Sequence, residues 1–121
     1  MTKNIEYLTW EEFDKAVDSL VSAIVTLDLQ PKNIYGIPRG GLVLAVTISH
    51  RLDLPLLLDT GKITKSTLVV DDISDTGNTL SRYTGLTTVI IHLTRHSLFI
   101  PTVFYKYRIA DWVVYPWEKE G

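Results

Sequence analysis

Cysteine is absent from the 121 residues of this chain, which excludes disulfide bonds and thiolate metal sites. No run of apolar residues is long enough to span a membrane, and the N-terminus, Met-Thr-Lys-Asn-Ile-Glu, lacks the apolar stretch of a secretory signal. No cluster of basic residues occurs, and the net charge of −2 argues against general nucleic-acid binding. We therefore expect a cytoplasmic protein that binds neither membranes nor nucleic acid.

Hydrophobic residues make up 45% of the chain, which is enough for a core in a single domain. After a capping box at Thr9 and Glu12, apolar spacing predicts a helix over 10–27. A second helix is predicted over 42–51, a loop over 59–66 and a short helix over 79–83. Predicted strands lie at 33–37, 55–58, 67–70, 87–93, 103–107 and 112–115. Strands that alternate with helices indicate a mostly parallel sheet, and such sheets bind ligands at the carboxyl ends of their strands.

The most informative segment is 69–80, which reads Val-Val-Asp-Asp-Ile-Ser-Asp-Thr-Gly-Asn-Thr-Leu. Asp71 and Asp72 follow a predicted buried strand, and their carboxylates suit sugar hydroxyls or the water shell of Mg²⁺. Thr-Gly-Asn-Thr then opens a predicted helix, where backbone N–H groups without partners attract an anion. A phosphate site beside a reader of sugar hydroxyls describes a ribose phosphate. The residues predicted to hold its phosphate are Asp75, Thr76, Gly77, Asn78 and Thr79.

A plainer interpretation of this segment stays open: the aspartates end a strand, and 76–78 form a capped turn. The whole pattern, however, resembles the signature of type I phosphoribosyltransferases. It is neither a Walker loop nor a Gly-x-Gly-x-x-Gly fingerprint. Further segments extend the resemblance over nearly the full chain, closest to the xanthine, guanine and hypoxanthine branch. They are 7–10, the pyrophosphate-loop-like Tyr-Gly-Ile-Pro-Arg-Gly-Gly-Leu at 35–42, and the purine-site-like Ala-Asp-Trp-Val-Val-Tyr-Pro-Trp-Glu at 110–118.

The resemblance implies an α/β fold with a mostly parallel sheet, flanking helices and a small C-terminal hood, all within one domain over 1–121. It implies that Asp75 is the catalytic carboxylate, which accepts or holds a proton on the five-membered ring of the purine. A carboxylate that only caps the following turn is the alternative. Asp71 and Asp72 would hold the ribose and, through water, Mg²⁺. Pyrophosphate would bind at Pro38, Arg39, Gly40 and Gly41, with a cis peptide between Pro38 and Arg39.

For the purine, the resemblance implies that Trp112 stacks on the base, that backbone groups of Val113 read its edge, and that Arg95 donates to its 6-oxo group. The alternatives are a core tryptophan and a solvated arginine, and Arg39 has a similar alternative as a surface residue in a tight turn. Trp117 is predicted to be structural. Of the histidines, His50 and His92 are predicted to be structural, and His96 receives no role.

The function that the resemblance implies is transfer of a 5-phosphoribosyl group from phosphoribosyl pyrophosphate to a 6-oxopurine, with Mg²⁺ as cofactor and pyrophosphate as product. The partners would be that donor and a purine base or nucleotide, in a homo-oligomer such as a dimer or tetramer. One departure matters. Only 59–66 is available for the long mobile loop that usually closes over the site, and its usual Ser-Tyr pair is missing. A non-catalytic sensor of nucleotide or donor on the same fold is the alternative.

Overall fold

A computed structural model describes residues 4–119, in which two α-helices and two short 3₁₀ helices alternate with seven strands. Helix α1 is Trp10–Thr26 and helix α2 is Leu42–Leu52, while the 3₁₀ helices are Thr60–Lys62 and Leu80–Tyr83. The strands are β1 Ile5–Tyr7, β2 Asn33–Gly36, β3 Leu56–Leu57, β4 Thr67–Ser74, β5 Thr87–Leu93, β6 Val103–Tyr107 and β7 Trp112–Val114.

Helix α1 begins where the capping box predicts. The side chain of Thr9 accepts a hydrogen bond from the backbone N–H of Glu12 at 3.0 Å. Glu11 and Glu12 lie in the first turn, where negative charge interacts favourably with the helix dipole. The buried side chains of α1 form one face and join the main core. They are Phe13, Ala16, Val17, Leu20 and Ile24.

Five strands form one parallel sheet in the order β3-β2-β4-β5-β6. The helices α1 and α2 pack on one face, together with sheet residues such as Leu68, Val70 and Ile91. On the opposite face a second apolar cluster is closed by the 3₁₀ helix through Leu80. The predicted parallel sheet with flanking helices is therefore confirmed, with no long helix on the second face within residues 4–119.

The predicted C-terminal hood is a two-stranded parallel sheet of β1 and β7. Ile5 pairs with Trp112 and Tyr7 with Val114. The backbone N–H of Asn4 also donates to Asp111 Oδ2 at 3.1 Å. This small sheet joins the segment after β6 to the segment before α1.

One predicted boundary at the carboxyl edge of the main sheet is wrong. Strand β4 does not end at Val70 but continues to Ser74, because its pairing with β5 continues there, with Asp71 opposite Ile90 and Ser74 opposite Leu93. The short helix predicted over 79–83 is present as a single 3₁₀ turn, and Gly85, whose φ is +87°, follows it closely. No helix in the described range 4–119 is long and apolar enough to cross a membrane.

Candidate active site

A cavity of about 860 Å³ opens at the carboxyl ends of β2 and β4. Three separate stretches of chain line it: 37–40 after β2, 71–80 at the end of β4 and beyond, and 117–119 after the hood. The first two contain the residues that the sequence predicts for pyrophosphate, ribose and phosphate, apart from Gly41, which lies outside the lining. The topology thus brings residues about thirty positions apart in sequence into one cavity.

The acidic pair at the end of β4 is buried, with Asp71 and Asp72 each 8% exposed. Asp71 Oδ1 accepts the backbone N–H of Asp72 at 2.8 Å, and Asp72 Oδ1 accepts that of Ile73 at 2.8 Å. Burial, followed by the negative charge of Asp72, raises the pKa of Asp71 from 3.8 to about 8. Burial also raises the pKa of Asp72, and the charge of Glu118 adds to that rise. At neutral pH the pair therefore favours a shared proton unless a cation balances its charge.

The loop after β2 lies directly against this acidic pair. A Cβ atom at Gly40 would overlap the carboxyl group of Asp72, so the close approach requires glycine at this position. The peptide bond between Pro38 and Arg39 is cis, as the resemblance implies. Arg39 is exposed and borders the cavity, which leaves its guanidinium accessible to an anion there.

The segment 75–79 forms a loop along the cavity and not the first turn of an α-helix. Within residues 4–119 no acceptor is found for the backbone N–H groups of Thr76, Gly77 and Thr79, whereas Asn78 N–H donates to Thr76 Oγ1 at 3.2 Å. Such N–H groups can bind an anion without a long helix behind them. The predicted phosphate site would thus depend on the loop itself.

Gly77 is needed for a reason that the sequence did not reveal. Its φ is +95°, and an added Cβ would lie 2.7 Å from the backbone nitrogen of Phe99. The loop after β5 packs against the predicted phosphate loop at this point, and Leu98 N–H donates to the Thr76 carbonyl at 2.9 Å. The shape of the phosphate loop is therefore set by a segment that follows it by about twenty residues.

Asp75 lines the cavity, and its carboxylate has two cationic or hydrogen-bonding neighbours. His96 Nε2 lies 2.8 Å from Asp75 Oδ1, and Arg108 Nη1 lies 3.8 Å from the same oxygen. Thr94 Oγ1 donates to the backbone carbonyl of Asp75. Neither His96 nor Arg108 was given a role from the sequence, since no local spacing connects either of them to Asp75.

The residues predicted for the purine lie outside the lining of this cavity. Trp112 begins β7 in the hood and is 52% exposed, and Val113 is buried beside it. The guanidinium of Arg95 lies over the ring of Tyr107 at 4.3 Å. The structure thus brings the residues predicted for the donor, apart from Gly41, into one cavity and leaves the three residues predicted for the purine on the hood and the loop after β5.

Trp117 both lines the cavity and packs as predicted for a structural residue. Its ring stacks on Tyr115 at 5.1 Å with an interplanar angle of 12°, and it meets Phe13 edge-on at 5.4 Å. It is the tryptophan that shares the cavity with the acidic pair, a position that its place after Pro116 did not predict.

Tyr115 and His92 form a buried connection between hood and sheet that sequence reasoning missed. The hydroxyl of Tyr115 donates to the carbonyl of Asp72 at 3.1 Å and lies 2.8 Å from His92 Nδ1. Burial lowers the pKa of His92, whose side chain is 0% exposed, so the ring is neutral. Its Nε2 faces Glu6 at 3.4 Å without a hydrogen-bond partner among residues 4–119. His92 is thus a buried structural residue, as predicted. It contacts the hydroxyl of Tyr115, which in turn donates to the backbone carbonyl of Asp72.

No protein-family model matches the sequence, and no curated protein matches it. Solved structures do match. A purine phosphoribosyltransferase from Pyrococcus horikoshii Ot3 superposes with a TM-score of 0.82 at 26% identity, covering 97% of this chain and 96% of that one. A xanthine-guanine-hypoxanthine phosphoribosyltransferase from Helicobacter pylori gives a TM-score of 0.82 at 21% identity, covering 94% of each chain.

A hypothetical protein from Neisseria gonorrhoeae with bound ppGpp gives a TM-score of 0.73 at 15% identity, covering 98% of this chain and 92% of that one. At this identity the likeness concerns the fold alone. The fold, the acidic strand end and the adjoining loops agree with the resemblance in the sequence. The chain therefore has the type I phosphoribosyltransferase fold and is similar over nearly its whole length to purine phosphoribosyltransferases.

Proposed function

We propose that this chain, as a single phosphoribosyltransferase-like domain over 1–121, is a purine phosphoribosyltransferase. It would transfer the 5-phosphoribosyl group of phosphoribosyl pyrophosphate to a 6-oxopurine and release pyrophosphate. The observation that carries the proposal is the cavity in which the buried acidic pair, the 75–79 loop and the 37–40 loop meet. These are the groups that a sugar with a phosphate at one end and a pyrophosphate at the other requires.

The acidic pair fits a divalent cation brought in with the donor. Asp71 and Asp72 are buried side by side, and burial raises the pKa of both carboxyl groups, so a cation would remove an electrostatic penalty. Within residues 4–119 no group of three or more His, Asp or Glu side chains is arranged to hold a metal. Mg²⁺ would be held by the oxygens of the donor and by water molecules that Asp71 and Asp72 bind, because Mg²⁺ in phosphate sites usually keeps several waters. When bound, it would neutralise charge on the leaving pyrophosphate.

The residues of the chain have separate tasks in this reaction. Arg39 and the backbone of Gly40 would hold the pyrophosphate, and the free N–H groups of the 75–79 loop would hold the 5′-phosphate. A ring nitrogen of the purine attacks the anomeric carbon as its bond to the pyrophosphate oxygen breaks, and that oxygen keeps the bonding electron pair. Asp75 would accept the proton that the five-membered ring loses. Trp112 and Val113 would bind the base from the hood, and Arg95 would reach it from the loop after β5.

A second candidate function is a non-catalytic sensor that binds a nucleotide or the sugar donor. Two observations favour it. The segment between β3 and β4 is a short loop with one 3₁₀ turn, Thr60–Lys62, and it is absent from the lining of the cavity. A protein of the same fold from Neisseria gonorrhoeae has a nucleotide bound. Poor exclusion of water would lower the efficiency of transfer without preventing binding.

Release of pyrophosphate separates these two functions. The full-length protein is incubated with phosphoribosyl pyrophosphate and Mg²⁺, and guanine, xanthine, hypoxanthine and adenine are added in turn. We expect pyrophosphate with a 6-oxopurine and much less with adenine. Asp75→Asn should reduce turnover by about 10²–10⁴-fold while leaving donor affinity nearly unchanged. Donor binding by calorimetry with no base-dependent pyrophosphate from any purine would reject the enzyme and support the sensor.

A further inference from the structure

Asp75 is held by side chains from two other loops, and this arrangement has a consequence for the proposed reaction. His96 follows β5 and Arg108 follows β6, and both approach Oδ1 of Asp75, at 2.8 Å and 3.8 Å. A carboxylate can only accept, so the Nε2–H group of His96 is the donor. Within residues 4–119 the second carboxylate oxygen, Oδ2, has no partner, and Asp75 lines the cavity.

The backbone holds this contact in place from both sides. Arg108 N–H donates to the carbonyl of Leu93 at 2.9 Å, and Leu98 N–H donates to that of Thr76 at 2.9 Å. The hydroxyl of Ser97 also lies 2.9 Å from that of Ser74. The loop of His96 is therefore hydrogen-bonded to Ser74 and Thr76, the residues on either side of Asp75, although the side chain of His96 is 61% exposed.

Without His96 and Arg108, the carboxylate of Asp75 could accept a hydrogen bond from a different donor. An aspartate readily accepts a hydrogen bond from the backbone N–H two residues later in the chain. Here that residue is Gly77, whose N–H group is among those proposed to bind phosphate. An Asp75 carboxylate turned to this group would both leave the reacting base and place negative charge in the phosphate site.

We infer that His96 is a positioning residue for Asp75, with Arg108 as its electrostatic support. The inference rests on the proposed function and names a residue that acts within it. His96 holds Oδ1, which leaves Oδ2 directed to the purine. It also keeps the carboxylate away from the backbone N–H groups of the 75–79 loop that are proposed to bind phosphate. When the purine nitrogen attacks, the ring N–H bond breaks and its proton moves to Oδ2, while the N–H bond of His96 to Oδ1 stays intact.

Two variants of His96 and one control test this role. His96→Phe keeps an aromatic ring without the N–H donor, and His96→Gln keeps a neutral N–H donor at similar reach. His50→Phe is the control, because His50 is an exposed histidine on α2, away from the cavity. We expect His96→Phe to lower kcat by about 10–100-fold, a part of the full general-base contribution, with KM for the donor changed less than about twofold. His96→Gln should recover most of kcat, and His50→Phe should match the wild type.

A double variant distinguishes positioning from a general loss of structure. In an Asp75→Asn background, His96→Phe should cause no further loss of kcat, because the group that it positions is already gone. A similar further loss in both backgrounds, or a matching rise of KM for the donor, would overturn the inference. So would wild-type turnover in His96→Phe. Absence of base-dependent pyrophosphate from the wild type would instead reject the proposed function itself.

Discussion

Replacing Asp71 by asparagine should stabilise the fold at neutral pH while damaging the proposed site. In the unfolded chain this carboxyl group ionises near its ordinary pKa of 3.8, whereas in the folded protein it keeps its proton to about pH 8. Between these values the folded state binds more protons than the unfolded state, so stability falls as pH rises. Below pH 3.8 Asp71 is protonated in both the folded and the unfolded state, so its burial no longer lowers stability. An asparagine side chain in place of Asp71 would carry no charge at any of these pH values.

The stability gained by Asp71→Asn depends on the width of the pH range between the unfolded and the folded pKa of Asp71. Each pH unit corresponds to about 1.4 kcal/mol per proton, so roughly three units between the unfolded pKa and pH 7 set an upper limit of roughly 4 kcal/mol. Repulsion between Asp71 and Asp72 is relieved by partial sharing of a proton, which lowers the true figure. We therefore expect Asp71→Asn to gain about 2–4 kcal/mol at pH 7 and almost nothing at pH 4. The amide oxygen of asparagine can still accept the backbone N–H of Asp72, so the local hydrogen bond is kept.

Urea unfolding at several values between pH 4 and pH 8, in buffer with a metal chelator, measures this effect. The control is Asp14→Asn, which removes an exposed carboxylate of α1 that lies outside the lining of the site. The wild type and the control should follow similar curves of stability against pH, and the stability that Asp71→Asn gains over the wild type should grow with rising pH. An Asp71→Asn protein that is less stable than the wild type at pH 7, or a gain over the wild type that does not grow from pH 4 to pH 7, would refute the reasoning.

Three further predictions concern residues that shape the cavity or are proposed to bind the purine. Gly77→Ala should lower the free energy of unfolding in urea by about 1–3 kcal/mol, since the new Cβ meets Phe99 at positive φ. It should also weaken 5′-nucleotide binding measured by calorimetry. Wild-type values in both measurements would contradict the close packing of Gly77 on Phe99. Gly40→Ala should raise KM for the donor because its Cβ overlaps the Asp72 carboxyl, and an unchanged KM would place the donor elsewhere. Trp112→Ala should weaken purine binding by roughly 1–3 kcal/mol with donor affinity unchanged, and equal losses of both would make it a folding residue.

The clustering of the residues proposed to bind the donor could be predicted from the sequence because these residues are close together in it. A strand, two carboxylates and a loop follow one another within the segment 69–80, and chain order alone places them at one edge of the sheet. The loop at 38–40 joins them because β2 and β4 are neighbours in the sheet. The alternation of strands and helices in the sequence is enough to predict a parallel sheet with these residues at one edge.

The contacts around Asp75 and Asp72 could not be predicted in this way. His96, Arg108 and Tyr115 reach the site from loops and a strand end that are roughly twenty to forty residues away in sequence, and no periodicity records which distant side chain meets a given carboxylate or carbonyl. The short helix predicted over 79–83 is present, as the 3₁₀ helix Leu80–Tyr83. The loop before this helix packs on Phe99 at Gly77, and local propensity does not record such a tertiary contact.

The pairing of β1 with β7 gives the two halves of the site different local stabilities. The two strands of the hood pair at only three positions each, so few backbone hydrogen bonds are lost when the hood opens. Opening it costs less free energy than unfolding β4 and β5, which are paired over their length and buried. Amide hydrogen exchange should therefore be faster in the hood than in the central strands. The side proposed to bind the purine can open and close many times while the side proposed to hold the sugar phosphate stays folded.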